Sequence, residues 1–193
     1  GGVILNIDYN LTRNAFERAG VKNFHEMYSQ ANADDLFSKL ETGEIAEDDF
    51  YREINRRTGL NIPPGEIEKA WNAMLLNFRE NSLQFLDSLQ PKYKLFLLSN
   101  TNHIHIKAFN KIYHEQKRTK PFNNFFEKAY YSSEIGLRKP NADIYEFVVK
   151  ENNLDAGKTL FVDDSVQNIE AANNLNMQTI LLTPGKYIED IPL

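Results

Sequence analysis

Two rhythms of apolar residues divide the chain. Between about residues 10 and 90 they recur at helical spacing, as in Phe50 with Ile54 and in Ile67, Trp71, Met74, Leu75 and Phe78, which predicts helices that share a buried face. Breaks at Gly43, at Thr58-Gly59 and at Pro63-Pro64-Gly65 cut this half into several short antiparallel helices, with Pro64 suited to the first turn of the next one. From residue 93 the pattern changes. The short runs YKLFLLS, KAYYS, TLFVDD and MQTILL alternate with helical stretches, two of which begin near Ala142 and Val166. Strand-length runs that are apolar on both faces predict a parallel sheet covered by helices through right-handed crossovers. The expected class is α/β, with a Rossmann-like parallel sheet core at residues 1–7 and 86–193 and an α-helical bundle cap inserted at residues 8–85. VILNI also reads as sheet-associated chain, and GGVILNID, without an initiator Met, begins like the second half of a strand and its turn. The first strand is therefore expected to be incomplete, with residues upstream.

Composition narrows the chemistry. A chain of 193 residues is long enough to bury a sizeable core. Cysteine is absent, which excludes disulfides, thiolate catalysis and sulfur-based zinc sites and fits a cytoplasmic location. The net charge of −5, from 22 Lys+Arg and 27 Asp+Glu, argues against nonspecific binding to nucleic acid or to an anionic membrane. No apolar run approaches the roughly 18 residues of a membrane span, and no basic-then-apolar leader opens the sequence. A small substrate is the expectation.

In a parallel α/β sheet, ligands bind beyond the carboxyl ends of the strands. Polar residues that end an apolar run are therefore the candidates. KLFLLSNTN delivers Ser99 and Asn100 to a strand end, where a hydroxyl, an amide and backbone N–H groups can hold an anion; the alternative is a helix N-cap before His103. GLRKPNADIY places Lys139 just before a proline turn, within reach of a phosphate, with Arg138 as a local competitor and an ordinary exposed lysine as the alternative. TLFVDDSVQNIEAA sets Asp163 and Asp164 side by side after an apolar strand. Like charges about 4 Å apart repel by roughly 4 kcal/mol at a protein surface, so a bound cation is a natural remedy. Hard oxygen donors favour Mg²⁺; the alternative is one Asp capping the helix and the other exposed, and Ser165 and Asn168 either add hydrogen bonds or cap. Phosphoryl transfer needs anion donors, a lysine and a metal-binding carboxylate together.

With these motifs in this order, the sequence resembles the haloacid dehalogenase-like phosphatases over nearly its whole length. LFLLSN with Ser99, GLRKP with Lys139 and FVDDS with Asp163 and Asp164 correspond to that family's second, third and fourth motifs, and GGVILNID to the tail of its first. The resemblance implies a nucleophilic aspartate two residues before Gly1. It also sets Gly1 at the position whose carbonyl helps bind Mg²⁺ and whose side chain is usually the general acid; glycine offers the carbonyl but no proton, leaving water, another side chain or the substrate as its source. GGVI, LETGEI, SNTNHIH, GLRKPNADIY and FVDDSVQNIEAAN have counterparts in the helical-capped branch that includes bacterial alpha-D-glucose 1-phosphate phosphatases and the epoxide hydrolase N-terminal phosphatase domain. A cap closing over the strand ends is implied, with Asn102 and His105 as candidate substrate contacts near the closure.

The expected function is Mg²⁺-dependent hydrolysis of a small phosphorylated metabolite, a sugar phosphate by resemblance, through a phosphoaspartate. Ser99 and Asn100 would hold the phosphoryl group, Lys139 would offset its charge, and Asp164, with Asp163 and the Gly1 carbonyl, would bind the metal. The alternatives are a metal-independent 2-haloacid dehalogenase, against which the acidic pair argues, and a noncatalytic phosphate-binding or regulatory protein of the same fold. The cap arginines Arg13, Arg18, Arg52, Arg56 and Arg57 either greet an anion or pair with neighbouring acids, as Glu53 can with Arg57.

Overall fold

The computed structural model describes residues 1–22, 24, 35–116 and 120–193; residues 23 and 25–34 of the expected cap lie outside the described residues. After a short strand, β1 (Leu5–Ile7), the chain enters a helical bundle of α1 (Tyr9–Arg18), α2 (Asp35–Glu41), α3 (Glu47–Thr58) and α4 (Pro64–Asn72). Local chemistry sets the ends of these helices. Asp8 caps α1 by accepting from the Asn10 N–H, Gly59 closes α3 in the left-handed conformation, and Pro64 stands in the first turn of α4. Along α3 the acids Glu47, Asp48 and Asp49 lead and Arg56 and Arg57 trail, as the helix dipole favours. Four of the five cap arginines pair locally: Arg13 with Glu17, Arg52 with Asp49, and Arg56 and Arg57 with Glu53.

The bundle closes on aromatic rings. Phe16, Phe37, Phe50 and Trp71 are completely buried, with Phe37 stacked on Trp71 at 5.3 Å between centroids. Each such side chain stabilises the fold by about 1.5–3 kcal/mol on burial. Ile104, from the helix after the next strand but one, joins this cluster and seats the bundle on the core.

The expected helix through Phe78 ends at Asn72. The buried Thr12 hydroxyl donates to the Trp71 carbonyl and accepts from the Met74 N–H, both at 3.0 Å, and the Asp8 N–H takes the Met74 carbonyl. These bonds draw the backbone out of the helix and into β2 (Leu75–Phe78), which pairs antiparallel with β1, Leu5 opposite Phe78 and Ile7 opposite Leu75. Next comes α5 (Glu80–Leu89), whose Leu83 and Leu86 pack into the core cluster with Ile4 and Phe109 rather than into the bundle. Strand β2 and helix α5, included in the expected cap, thus pair and pack with the core.

In the core, β3 (Phe96–Ser99) pairs in parallel with β4 (Lys128–Tyr131), and β5 (Leu160–Asp163) with β6 (Gln178–Leu181). Between them run α6 (His103–Glu115), α7 (Ser132–Ile135), α8 (Ala142–Glu151) and α9 (Val166–Asn174). The single parallel sheet expected from the sequence is present, among the described residues, as these two ladders. A cavity of about 760 Å³ lies between them, bordered on one flank by Leu95–Asn100 and on the other by Thr159–Ser165. Residues that a closed parallel sheet would bury, such as Leu97 and Phe161, are therefore only half-buried. No helix among the described residues is long and apolar enough to cross a membrane.

Candidate active site

The carboxyl ends of β3 and β5 meet at the head of this cavity, where Ser99, Asn100, Lys139, Asp163, Asp164 and Gly1 all line its wall. Lys139 ties the two ladders together. Its ammonium donates to the Leu98 carbonyl of β3 at 2.9 Å and to Asp163 Oδ2 of β5 at 2.6 Å, and both side chains are nearly inaccessible. The turn carrying Lys139 is held by Asn100, whose amide donates to the Lys139 carbonyl at 2.8 Å and accepts from the Lys139 N–H at 2.9 Å. The Asn100 side chain, expected to grip a phosphoryl group, is thus bonded on both its oxygen and its nitrogen to the Lys139 backbone. Ser99, as the last residue of β3, borders the cavity directly.

The two adjacent aspartates differ in what surrounds them. Asp163 Oδ1 accepts from the Ser165 N–H and from the Asn168 amide, each at 2.9 Å, while Oδ2 takes Lys139. Three donors therefore engage both oxygens of Asp163 and make it the anchor of the site. Asp164 turns the other way, against the first residues of the chain. Gly2 has a φ of +74°, and a β-carbon there would overlap the Asp164 carboxylate, so this approach needs a glycine. Burial, with the neighbouring charge of Asp163 adding to it, raises the pKa of Asp164 above the usual carboxylate value. A cation would reverse that penalty. Hard oxygens are what Mg²⁺ takes, and it commonly binds one or two carboxylates with water and phosphate completing its shell. The Asp164 carboxylate and the Gly1 carbonyl, which accepts one hydrogen bond from Val3 and has a second lone pair, fit that requirement. No cluster of three or more His, Asp or Glu side chains able to hold a metal occurs among the described residues.

Asn102 and His105, read from the sequence as substrate contacts, have their polar atoms engaged within the protein. Asn102 caps α6 by accepting from the His105 N–H at 3.0 Å, and its amide faces His105 Nδ1 at 3.2 Å. His105 Nε2 meets the Trp71 carbonyl at 3.2 Å, and the ring stacks on Trp71 at 4.9 Å. Nδ1 accepting from Asn102 and Nε2–H donating to Trp71 is the neutral tautomer that satisfies both contacts. Desolvation lowers the His105 pKa to about 4. His105 joins the cap to the core, and Asn102 holds its ring in place.

Sequence reasoning passed over Glu41 and Tyr9. Glu41 ends α2 and pairs with Arg138, the expected competitor of Lys139; Arg138 Nη2 lies 2.8 Å and Nε 3.0 Å from Glu41 Oε2. Tyr9, on the first turn of α1, also lines the cavity, and burial together with the charges of Asp164 and Glu41 raises its pKa. LETGEI held the signal for Glu41, a lone acid before a glycine turn, but its partner lies far along the chain.

A family model for haloacid dehalogenase-like hydrolases matches residues 9–176. The chain belongs to the haloacid dehalogenase-like hydrolase family. This haloacid dehalogenase-like hydrolase is 28% identical over 179 residues to a D-ribitol-5-phosphate phosphatase of Bacteroides thetaiotaomicron, covering 93% of this chain and 86% of that one. Its structure is similar to that of a haloacid dehalogenase family enzyme from the same organism, an aspartate-to-alanine variant in complex with magnesium and inorganic phosphate. The TM-score is 0.92 and the identity 32%, over 97% of this chain and 93% of the other. A hydrolase of the same family from Porphyromonas gingivalis aligns with a TM-score of 0.86 and 30% identity, over 96% and 89% of the two chains. Family and hydrolase class, expected from four motif fragments, are thereby established.

Proposed function

We propose that the protein is a Mg²⁺-dependent phosphatase acting in the cytoplasm on a small phosphomonoester, with a sugar or alditol phosphate as the favoured substrate. The observation that carries this reading is the lysine at the head of the cavity, fixed between Leu98 and Asp163 with Asp164 beside it. The phosphatase relative and the magnesium and phosphate in the similar structure support it.

In this reading the cavity between β3 and β5 receives an extended segment from residues upstream of Gly1, which completes the parallel sheet of a core at residues 1–7 and from about 80 onward. That segment brings an aspartate to the strand ends. Its carboxylate attacks phosphorus, an O–P bond forms to the aspartate, the bond to the leaving oxygen breaks, and that oxygen takes a proton from water to depart as the alcohol. Water then cleaves the phosphoaspartate, releasing inorganic phosphate and restoring the carboxylate. Lys139 offsets charge on the nucleophile and the phosphoryl oxygens, and Asp163 keeps its ammonium aimed there. The Ser99 hydroxyl and the backbone N–H groups after β3 bind phosphoryl oxygens, while the Asn100 side chain holds the lysine turn. Asp164 and the Gly1 carbonyl hold Mg²⁺, which when bound neutralises charge on the phosphoryl group.

The test is hydrolysis of p-nitrophenyl phosphate by the full-length protein with Mg²⁺ and with chelator. Turnover that chelator abolishes is expected. Turnover of 2-haloacids that is indifferent to chelator would point to a dehalogenase, and binding of phosphate analogues without any turnover to a noncatalytic protein.

A further inference from the structure

Glu41 is a buried acid on the cap that faces the mouth of the cavity, and nothing in the phosphoryl chemistry uses it. Three features define its setting. Arg138, which immediately precedes Lys139, reaches across from the core and binds Glu41 through Oε2 alone, with Ser38 Oγ 3.5 Å from its other terminal nitrogen. The following turn is pressed against the core, because a β-carbon on Gly43 would overlap the Ser133 carbonyl. Glu41 and Arg138 also line the same cavity as Tyr9, Met74, Lys139 and Asp164. One loop of the core therefore carries both the lysine of the phosphoryl site and the arginine that holds the cap acid.

A mechanical latch is a poor account of this pair. Taking two charges out of water costs several kcal/mol per ion, and a buried ion pair often stabilises no better than apolar side chains of similar volume. A carboxylate is acceptor-only, and Arg138 occupies one of its oxygens. Burial raises the pKa of Glu41 and Arg138 opposes that rise; the always-charged guanidinium, 2.8 Å away, favours the carboxylate acceptor. Such an acceptor is complementary to hydroxyl donors.

We propose that Glu41 Oε1 is the specificity-determining contact for the leaving group, accepting hydrogen bonds from the hydroxyls of a polyhydroxylated phosphomonoester. Arg138 is its positioning residue. The inference rests on the phosphatase reading and adds to it the class of alcohol released. A site built to bind a hydroxyl discriminates strongly against an analogue that lacks one, because the buried acceptor is then left unpaired.

The test compares kcat/KM for a five-carbon alditol phosphate with that for p-nitrophenyl phosphate in the full-length protein and its Glu41→Gln variant. Glu41→Gln is expected to lower the alditol phosphate value by about tenfold or more while changing the nitrophenyl value by less than about threefold. Equal losses on both esters, or no loss on either, would overturn the inference. If Glu41→Gln fails to fold, the unsubstituted protein still decides: it should prefer the alditol phosphate to butyl phosphate, and indifference between the two would overturn the inference. An unsubstituted protein that turns over none of these esters overturns the phosphatase reading, and the inference with it.

Discussion

The cap bundle and the parallel layer draw on similarly apolar segments but pack them to different ends. In the bundle Phe16, Phe37, Phe50 and Trp71 are wholly enclosed. In the core every residue of β3 is half-buried, and β5 is closed only at Asp163. The bundle is a finished hydrophobic body that carries few groups into the site. The strands gather the charged groups at their carboxyl ends, where Lys139, Asp163 and Asp164 meet. Interior packing at crystal-like density leaves no room for chemistry. Stability and reactivity are therefore concentrated in different parts of this molecule.

The comparison breaks most readily at Trp71. Trp71→Ala removes the ring that Phe37, Phe50 and His105 pack against, and is expected to lower stability by about 3–5 kcal/mol, read from urea denaturation. A loss below about 1 kcal/mol would mean that the bundle is not the rigid body described. Lys139→Ala probes the other region. A loss in kcat/KM of about 10²–10³-fold is expected, as for removal of a donor aimed at developing charge, with far-UV circular dichroism retained. Full activity would remove Lys139 from the site.

The smallest effect lies on the boundary between the regions, at His105. Its folded pKa, near 4, is below the unfolded value of 6.5. Between these values the unfolded chain binds the proton and the folded one does not, so stability is complete above pH 6.5 and declines as pH falls towards 4. The integrated change is about 3 kcal/mol. His105→Gln should flatten the dependence of the denaturation midpoint on pH across that window, and an unchanged slope would show that His105 is not the titrating group.

Much of the site was legible because its signals are local. LFLLS and TLFVD are strands by composition, and Ser99 and Asp163 are their last residues, so the strand-end rule located them without coordinates. Lys139 was legible by its proline turn. The division of labour between Asp163 and Asp164 was not, since DD in a sequence carries no direction; donors from Lys139, Ser165 and Asn168 distinguish the two in the fold. Asn100 and His105 were recognised as polar groups near a strand end, but their protein partners, the Lys139 backbone and the Trp71 carbonyl, lie far away in sequence and were not legible. Helical spacing at Met74, Leu75 and Phe78 misled for a similar reason: one hydroxyl, on Thr12, redirects that backbone.

The sequence by itself determined the elements, the α/β class, the order of the motifs and hence the family, because hydrophobic period and turn chemistry act over a few residues. Only the tertiary structure decided which polar atoms remain free. Hydrogen-bond saturation is a property of pairs brought together by folding. It engages Asp163, Asn100 and His105 with partners from other elements, and it sets Asp164 and Glu41 on the cavity wall.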